Sequence, residues 1–246
     1  MARIMMVVPF LSNDPRVAFT RNEYEGQGID VAGVSRAPKF PMNFVDVEYT
    51  IEGIIDRAAV AEEAGYDAVI IGCFGDPGLE GARQKVRIPV IGPGQSAVAM
   101  ANLLGHKFSV ITIQKDFVVP TENLVRINGL YDKLASIRVY TCNITELDPK
   151  SIQELGCGLE PANERDAQIT VDAAIRDTIA AIELDGASVV VFGCIGMSWM
   201  IDKARPALLE KGYKVPIVEP GLTAVHLAKA ICDMKLSHTR VMYPFG

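Results

Sequence analysis

A long internal repeat with one cysteine per copy constrains this 246-residue chain more than any other feature. The segments GYDAVIIGCFGDPG (65–78) and GASVVVFGCIGMSW (186–199) each open on glycine, run through an uncharged apolar stretch and end in Gly-Cys-x-Gly. At an offset of 121 positions they agree at Gly65 and Gly186, Val69 and Val190, Gly72 and Gly193, Cys73 and Cys194, and Gly75 and Gly196. Upstream, Asp56 matches Asp177 and Glu62 matches Glu183. Downstream the offset grows to 127, and IPVIGPGQSAVAMANLL (88–104) faces VPIVEPGLTAVHLAKAI (215–231). A chain built this way requires a fold with two matching halves.

The period of the apolar residues says what each half is made of. Runs at 3–9, 29–35, 68–72 and 88–91 in the first copy, and at 108–113, 137–144, 187–193 and 215–218 in the second, predict four strands per copy. Helical spacing covers 47–64, 78–85, 95–104, 116–129, 165–185, 200–211 and 221–234, while 37–44 and 145–164 read as loops. Strands that alternate with helices and carry almost no charge belong to parallel sheets covered on both faces. The expected class is α/β, with two pseudo-symmetric flavodoxin-like lobes, each a four-stranded parallel sheet flanked by helices. The expected division is 1–105 for the first lobe, joined by 221–246 returning at the C-terminus, and 106–220 for the second. Open sheets of this kind bind ligands beyond the carboxyl ends of their strands. Both cysteines follow such an end, so lobes closing face to face would put the two sulfurs in one cleft, the expected active site.

Composition removes several classes of function. A net charge of −6 with no run of Lys or Arg offers no basic face for nucleic acid. No apolar stretch reaches membrane-spanning length, and MARIMMVVPF reads as a first strand, so no membrane and a cytoplasmic setting are expected. The five cysteines are scattered without C-x-x-C and the three histidines are dispersed, which argues against a disulfide framework and against a metal.

Two matched thiols suggest a specific chemistry. A free thiol ionises at roughly 8.5, close enough to neutrality for either protonation state to be useful. One thiolate can remove a proton from a carbon next to a carbonyl while the opposite thiol supplies one to the other face. That inverts a stereocentre with no cofactor, and N–H groups around Phe74, Gly75, Ile195 and Gly196 would meet the developing oxyanion. The plainer reading of a cysteine is a small buried hydrophobe, and it is the better one for Cys142, Cys157 and Cys232. It does not explain why both copies keep the sulfur at 73 and 194. Elsewhere, Ser96 and Thr223 read as helix N-caps, Asp76 before Pro77 as a helix start, and His226 as a packed histidine. Gln95 and Glu219 are placed to reach polar substrate atoms, and Met197 and Trp199 to wall a pocket or cap the core.

At CFGDPG (73–78), GCIGM (193–197) and LLGHKFSVIT (103–112) the chain resembles the aspartate/glutamate/hydantoin racemase superfamily, and within it the hydantoin racemases and their allantoin racemase relatives. The resemblance spans about 47–234. It implies a cofactor-independent isomerase, a homo-oligomer acting on a small molecule, with Cys73 and Cys194 as the two acid/base catalysts. Amino-acid racemases of the group follow their second cysteine with Thr and then Glu or His, whereas this chain has Ile195, Gly196 and Met197. That favours a neutral cyclic amide, a 5-monosubstituted hydantoin or similar ureide. Decarboxylases of the group keep one cysteine, so two argue against that branch. Another carbon acid (allantoin, an amino acid, or a dicarboxylic acid such as maleate) stays open, and a non-catalytic small-molecule binding protein is the alternative of another class. One departure stands out. Where hydantoin racemases carry Asn-Pro-Asn-Thr after the first strand, this chain has Val8, Pro9, Phe10, Leu11, Ser12 and Asn13. Pro9 and Phe10 are therefore expected at the substrate, with Phe40 and Phe44 adding apolar bulk, and Ser35 falls where relatives have a ligand-side Thr.

Overall fold

The computed structural model describes residues 2–38, 43–156 and 160–245; Phe40 and Cys157, singled out in the sequence, lie outside them. The chain divides into two compact units, 1–96 with 221–246, and 97–220. In the first unit the elements are β1 (Ile4–Leu11), α1 (Pro15–Glu23), β2 (Asp30–Val34), α2 (Phe44–Glu48), α3 (Ile51–Glu63), β3 (Ala68–Ile71), α4 (Leu79–Lys85) and β4 (Val90–Ile91). The division falls inside α5 (Pro93–Leu104). In the second unit follow β5 (Phe108–Thr112), α6 (Val118–Ile127), β6 (Leu134–Val139), α7 (Pro149–Gly156), α8 (Glu164–Glu183), β7 (Val189–Phe192), α9 (Ser198–Glu210) and β8 (Ile217–Val218). Then α10 (Pro220–Asp233) leads back into the first unit.

Each unit holds one four-stranded parallel sheet, ordered β2-β1-β3-β4 and β6-β5-β7-β8. The two orders are the same order applied twice, which is the repeat expressed as topology. Registers match as well: Ile4 pairs with Ala68 and Phe108 pairs with Val189. Every residue of β3, β5 and β7 is buried. This is what uncharged strands covered on both faces require. In the first unit Val7, Val69 and Ile71 pack on Ile54, Ala58 and Ala61 of α3. A glycine follows each helix that precedes a cysteine strand: Gly65 after α3 and Gly186 after α8 adopt φ +76° and +74°, a left-handed conformation that suits glycine.

Several boundaries differ from the sequence expectation. The first strand runs past its expected end at Pro9 to Leu11, so Phe10 is a strand residue as well. The backbone there is pinned against β2, because a Cβ on Gly33 would stand 2.5 Å from the Phe10 carbonyl oxygen and 2.8 Å from the Ser12 Cα. Backbone cannot retreat as a side-chain tip can. Gly33→Ala is therefore expected to cost about 1–3 kcal/mol, read as a lower denaturant midpoint at unchanged m-value. Two short helices stand at the expected loops: α2 begins at the last residue of the first, and α7 lies inside the second. The expected strand 137–144 is found earlier, as β6. Thr141 is drawn off the sheet by Asp177 of α8, which accepts from its N–H at 2.8 Å and its hydroxyl at 2.5 Å. Ser96 and Thr223 are inside α5 and α10, which begin at Pro93 and Pro220, so neither is an N-cap. His226 is exposed and not packed.

The C-terminal tail packs on the edge strand β4 and on α4. His238 Nε2 lies 2.9 Å from the Val90 N–H, and the Arg240 guanidinium donates to the Val86 and Arg83 carbonyls. Burial, with the charge of Arg83 adding to it, holds the His238 imidazole below its ordinary pKa. Among the described residues, no helix is long and apolar enough to cross a membrane.

Candidate active site: two cysteine turns

Both cysteines stand in turns that leave the third strand of their sheet, and the backbone there is built the same way twice. Gly72 N–H donates to the Val7 carbonyl at 2.7 Å, and Gly193 N–H donates to the Ile111 carbonyl at 2.7 Å. Each glycine sits against the neighbouring strand. A Cβ would meet Val8 Cγ1 at 2.6 Å in the first turn and Val110 Cγ1 at 3.0 Å in the second. The next residue in each case is a half-buried cysteine. Cys73, Cys142, Cys194 and Cys232 are in no disulfide.

In the first turn, Cys73 N–H donates to the Ile71 carbonyl at 2.8 Å, and Asp76 N–H closes back on the Cys73 carbonyl at 3.1 Å. Phe74 is buried beneath the turn and Gly75 is exposed at its tip, where an added Cβ would meet nothing within 4 Å. The tight conformation belongs to Asp76 at φ +51° and not to the glycine. Pro9 is buried and Phe10 half-buried at the carboxyl end of β1, next to β3 in the sheet, and exposed Ser35 follows β2. Cys73, Phe74, Gly75, Pro9, Phe10 and Ser35 thus share the carboxyl edge of one sheet. The Phe10 ring lies under the guanidinium of Arg16, 4.0 Å from its centroid.

In the second turn, Cys194 is extended and a single 3-10 turn, Ile195–Met197, leads straight into α9. Ile195 and Met197 are buried, Gly196 half-buried. Trp199 is buried too, so Met197 and Trp199 belong to the core of the second unit. Burial raises the Cys194 thiol above its ordinary pKa; the nearby Gly196 N–H opposes this, the charge of Glu219 adds to the rise, and the Met197 N–H opposes it again. One of the N–H groups expected to face an oxyanion, that of Gly196, is turned to the sulfur itself.

Asp76, which the sequence marks as a helix start, has a second role in the structure. Its carboxylate accepts from Gly94 N–H at 2.9 Å and from Gln95 N–H at 2.7 Å, the first free amides of α5. The residue keeps some surface, yet its carboxyl is dry enough that desolvation pushes the pKa up to about 7, against those two N–H bonds and the charge of Arg83. Gln95 offers its side-chain oxygen to Arg83 Nη2 at 2.6 Å. Among the described residues, no group of three or more His, Cys, Asp and Glu side chains could hold a metal.

Two like-ordered parallel α/β lobes, each presenting a thiol beyond its third strand, define a class of protein built for chemistry by duplication. The Asp/Glu/Hydantoin racemase family matches residues 21–228, and the chain belongs to that family. Membership makes it an isomerase of the racemase class. It is 31% identical to the hydantoin racemase of Rhizobium meliloti, over 80% of this chain and 73% of that one. It is 29% identical to the hydantoin racemase of Pseudomonas sp. strain NS671, over 78% and 69%. Its fold superposes with TM-score 0.80 on the allantoin racemase from Klebsiella pneumoniae, at 20% identity, covering 100% of this chain and 94% of that one.

Proposed function

We propose that this protein racemises 5-monosubstituted hydantoins or similar cyclic ureides, using Cys73 and Cys194 as the two bases and no cofactor. The observation that carries the reading is the duplicated turn: same strand, same glycine N–H bond to the central strand, same sulfur. The reading requires the two sulfurs to address opposite faces of one carbon. For one enantiomer the Cys73 thiolate takes the proton from C5 and the Cys194 thiol returns one to the far side; for the other enantiomer the roles exchange. C5 is acidic because its carbanion delocalises into the adjacent C4 carbonyl, and the resulting enolate oxygen is met by backbone N–H groups left free at the turns. The apolar sequence after Cys194, Ile195 and Met197, suits an uncharged ring better than an α-carboxylate with its amine. Substrate contacts at Pro9, Phe10, Ser35, Phe74, Gly75, Ile195 and Gly196 belong to the same proposal, as does a homo-oligomer. The relatives named as hydantoin racemases support the substrate class.

Proton NMR in heavy water tests it. Single enantiomers of 5-benzylhydantoin, allantoin and glutamate are incubated with and without enzyme, and loss of the Cα–H signal is followed beside optical rotation. Enzyme-dependent exchange together with loss of rotation is expected for the hydantoin. Exchange confined to glutamate would sink the ureide assignment, and binding without any exchange would favour a non-catalytic binding protein.

A further inference from the structure

We propose that Asp76 is the positioning residue of the Cys73 turn, clamping it to the start of α5. The proposal deepens the racemase reading and rests on it for its kinetic arm alone. A helix N-cap ordinarily offers a side-chain oxygen to the second or third helical N–H. The residue before α5 is Gly92, whose carbonyl takes the first helical bond from Ser96 N–H at 3.0 Å and which has no side chain to offer. The missing acceptor comes from Asp76, three positions after Cys73. A Cβ built on Gly92 would lie 2.5 Å from the Asp76 carboxyl, so glycine is there to admit it. Both carboxylate oxygens are used, one on Gly94 N–H at 2.9 Å and one on Gln95 N–H at 2.7 Å.

The rest of the turn follows from that grip. Asp76 holds φ +51°, a conformation unfavourable for a residue with a Cβ, which persists where surrounding bonds over-determine it. Its N–H bonds the Cys73 carbonyl at 3.1 Å and its carbonyl accepts from Leu79 N–H at 3.2 Å, so the carboxylate, the cysteine and α4 are one linked unit. Behind it Arg83 reaches both sides of the contact, with Nη2 on Gln95 at 2.6 Å and Nε on the Val90 carbonyl at 3.2 Å.

The second copy shows that the device is not a general need of the fold. Met197 stands where Asp76 does, and Glu219 stands where Gly92 does. The carboxylate has changed sides of the same junction, and there its charge acts on Cys194. The Cys194 turn is closed within itself, with Met197 N–H on the Cys194 carbonyl at 3.2 Å and Gly196 N–H toward the sulfur. Loss of Asp76 must therefore register at Cys73 and spare Cys194.

Alkylation by iodoacetamide, resolved for each cysteine by peptide mass spectrometry on the folded full chain, reads this without any substrate. Asp76→Asn keeps the size and loses one acceptor. Gly92→Ala keeps Asp76 and evicts its carboxyl, so it serves as the second, independent variant. Both are expected to change the Cys73 rate by about fivefold, the worth of one hydrogen bond, and the Cys194 rate by less than about twofold. In the kinetic arm kcat falls while KM holds, and the loss is confined to exchange from the face served by Cys73. Equal changes at both cysteines, or an unchanged Cys73 rate in a folded variant, overturn the proposal. Normal one-sided alkylation with no racemisation of any substrate would instead fault the functional reading and leave the positioning role standing.

Discussion

Replacing either Cys73 or Cys194 by serine is expected to lower racemisation by about 10²–10⁴-fold, the usual worth of a positioned general acid or base. A serine hydroxyl ionises far too high to remove a carbon-bound proton, so each variant keeps one working face. In Cys194→Ser, Cys73 still abstracts from its own side and returns solvent deuterium to that side, giving exchange without inversion for a single enantiomer. Cys73→Ser should show the mirror result with the other enantiomer. Heavy-water NMR on each enantiomer, beside polarimetry, separates the two events. If either variant inverts its substrate within about tenfold of the parent rate, the two-base mechanism is wrong. The raised pKa of Cys194 adds a sign. Its alkylation should climb only above the ordinary thiol range, since burial favours the uncharged form.

The duplicated fold was legible because its strands are uncharged and its helices end in glycine. The runs at 68–72 and 187–193 could only be buried parallel strands, and Gly65 and Gly186 fixed where the helices before them stopped. What the pattern hid were elements held by distant partners. β6 shifts because Asp177 captures Thr141, a contact 36 positions away. α2, at 5 residues, is too short to display a period. Within the candidate site, the cysteines were marked by repetition, whereas Asp76 looked like punctuation before Pro77. Its signal was present as paired departures from the repeat: Asp76 against Met197, and Gly92 against Glu219. Two mismatches that exchange a carboxylate across one junction point to a contact, but only when they are read together. Ser96 misled for the complementary reason. It has the chemistry of a cap, yet its hydroxyl is spent on the Gly92 carbonyl at 2.7 Å inside the helix.

The structure at the end of β1 makes a second large effect testable. Arg16→Ala is expected to destabilise the fold by about 3 kcal/mol or more, because it strips the partner from a nearly buried carboxylate. Arg16 grips Asp14 with two bonds, Nε to Oδ1 at 2.8 Å and Nη2 to Oδ2 at 2.7 Å, with side chains only 4% and 9% exposed. Burial alone would raise the Asp14 carboxyl, but the hydrogen bonds from Arg16 and its charge outweigh it and leave the pKa below 3.8. A carboxylate so depressed contributes stability above its unfolded pKa and loses it as pH falls through the folded one. The gap between parent and variant should accordingly narrow on acidification below about pH 4, which chemical denaturation across pH can follow. The same guanidinium lies over Phe10, so the variant also frees that ring. If Phe10 contacts the substrate, KM should rise with kcat little changed, the mark of lost uniform binding. Arg16→Lys sharpens the point. It keeps the charge but cannot fork onto Asp14 while stacking on Phe10, so it should recover part of the stability and little of the KM. A variant that loses stability with KM untouched would make Arg16 a brace for α1 alone and remove Phe10 from the substrate's path.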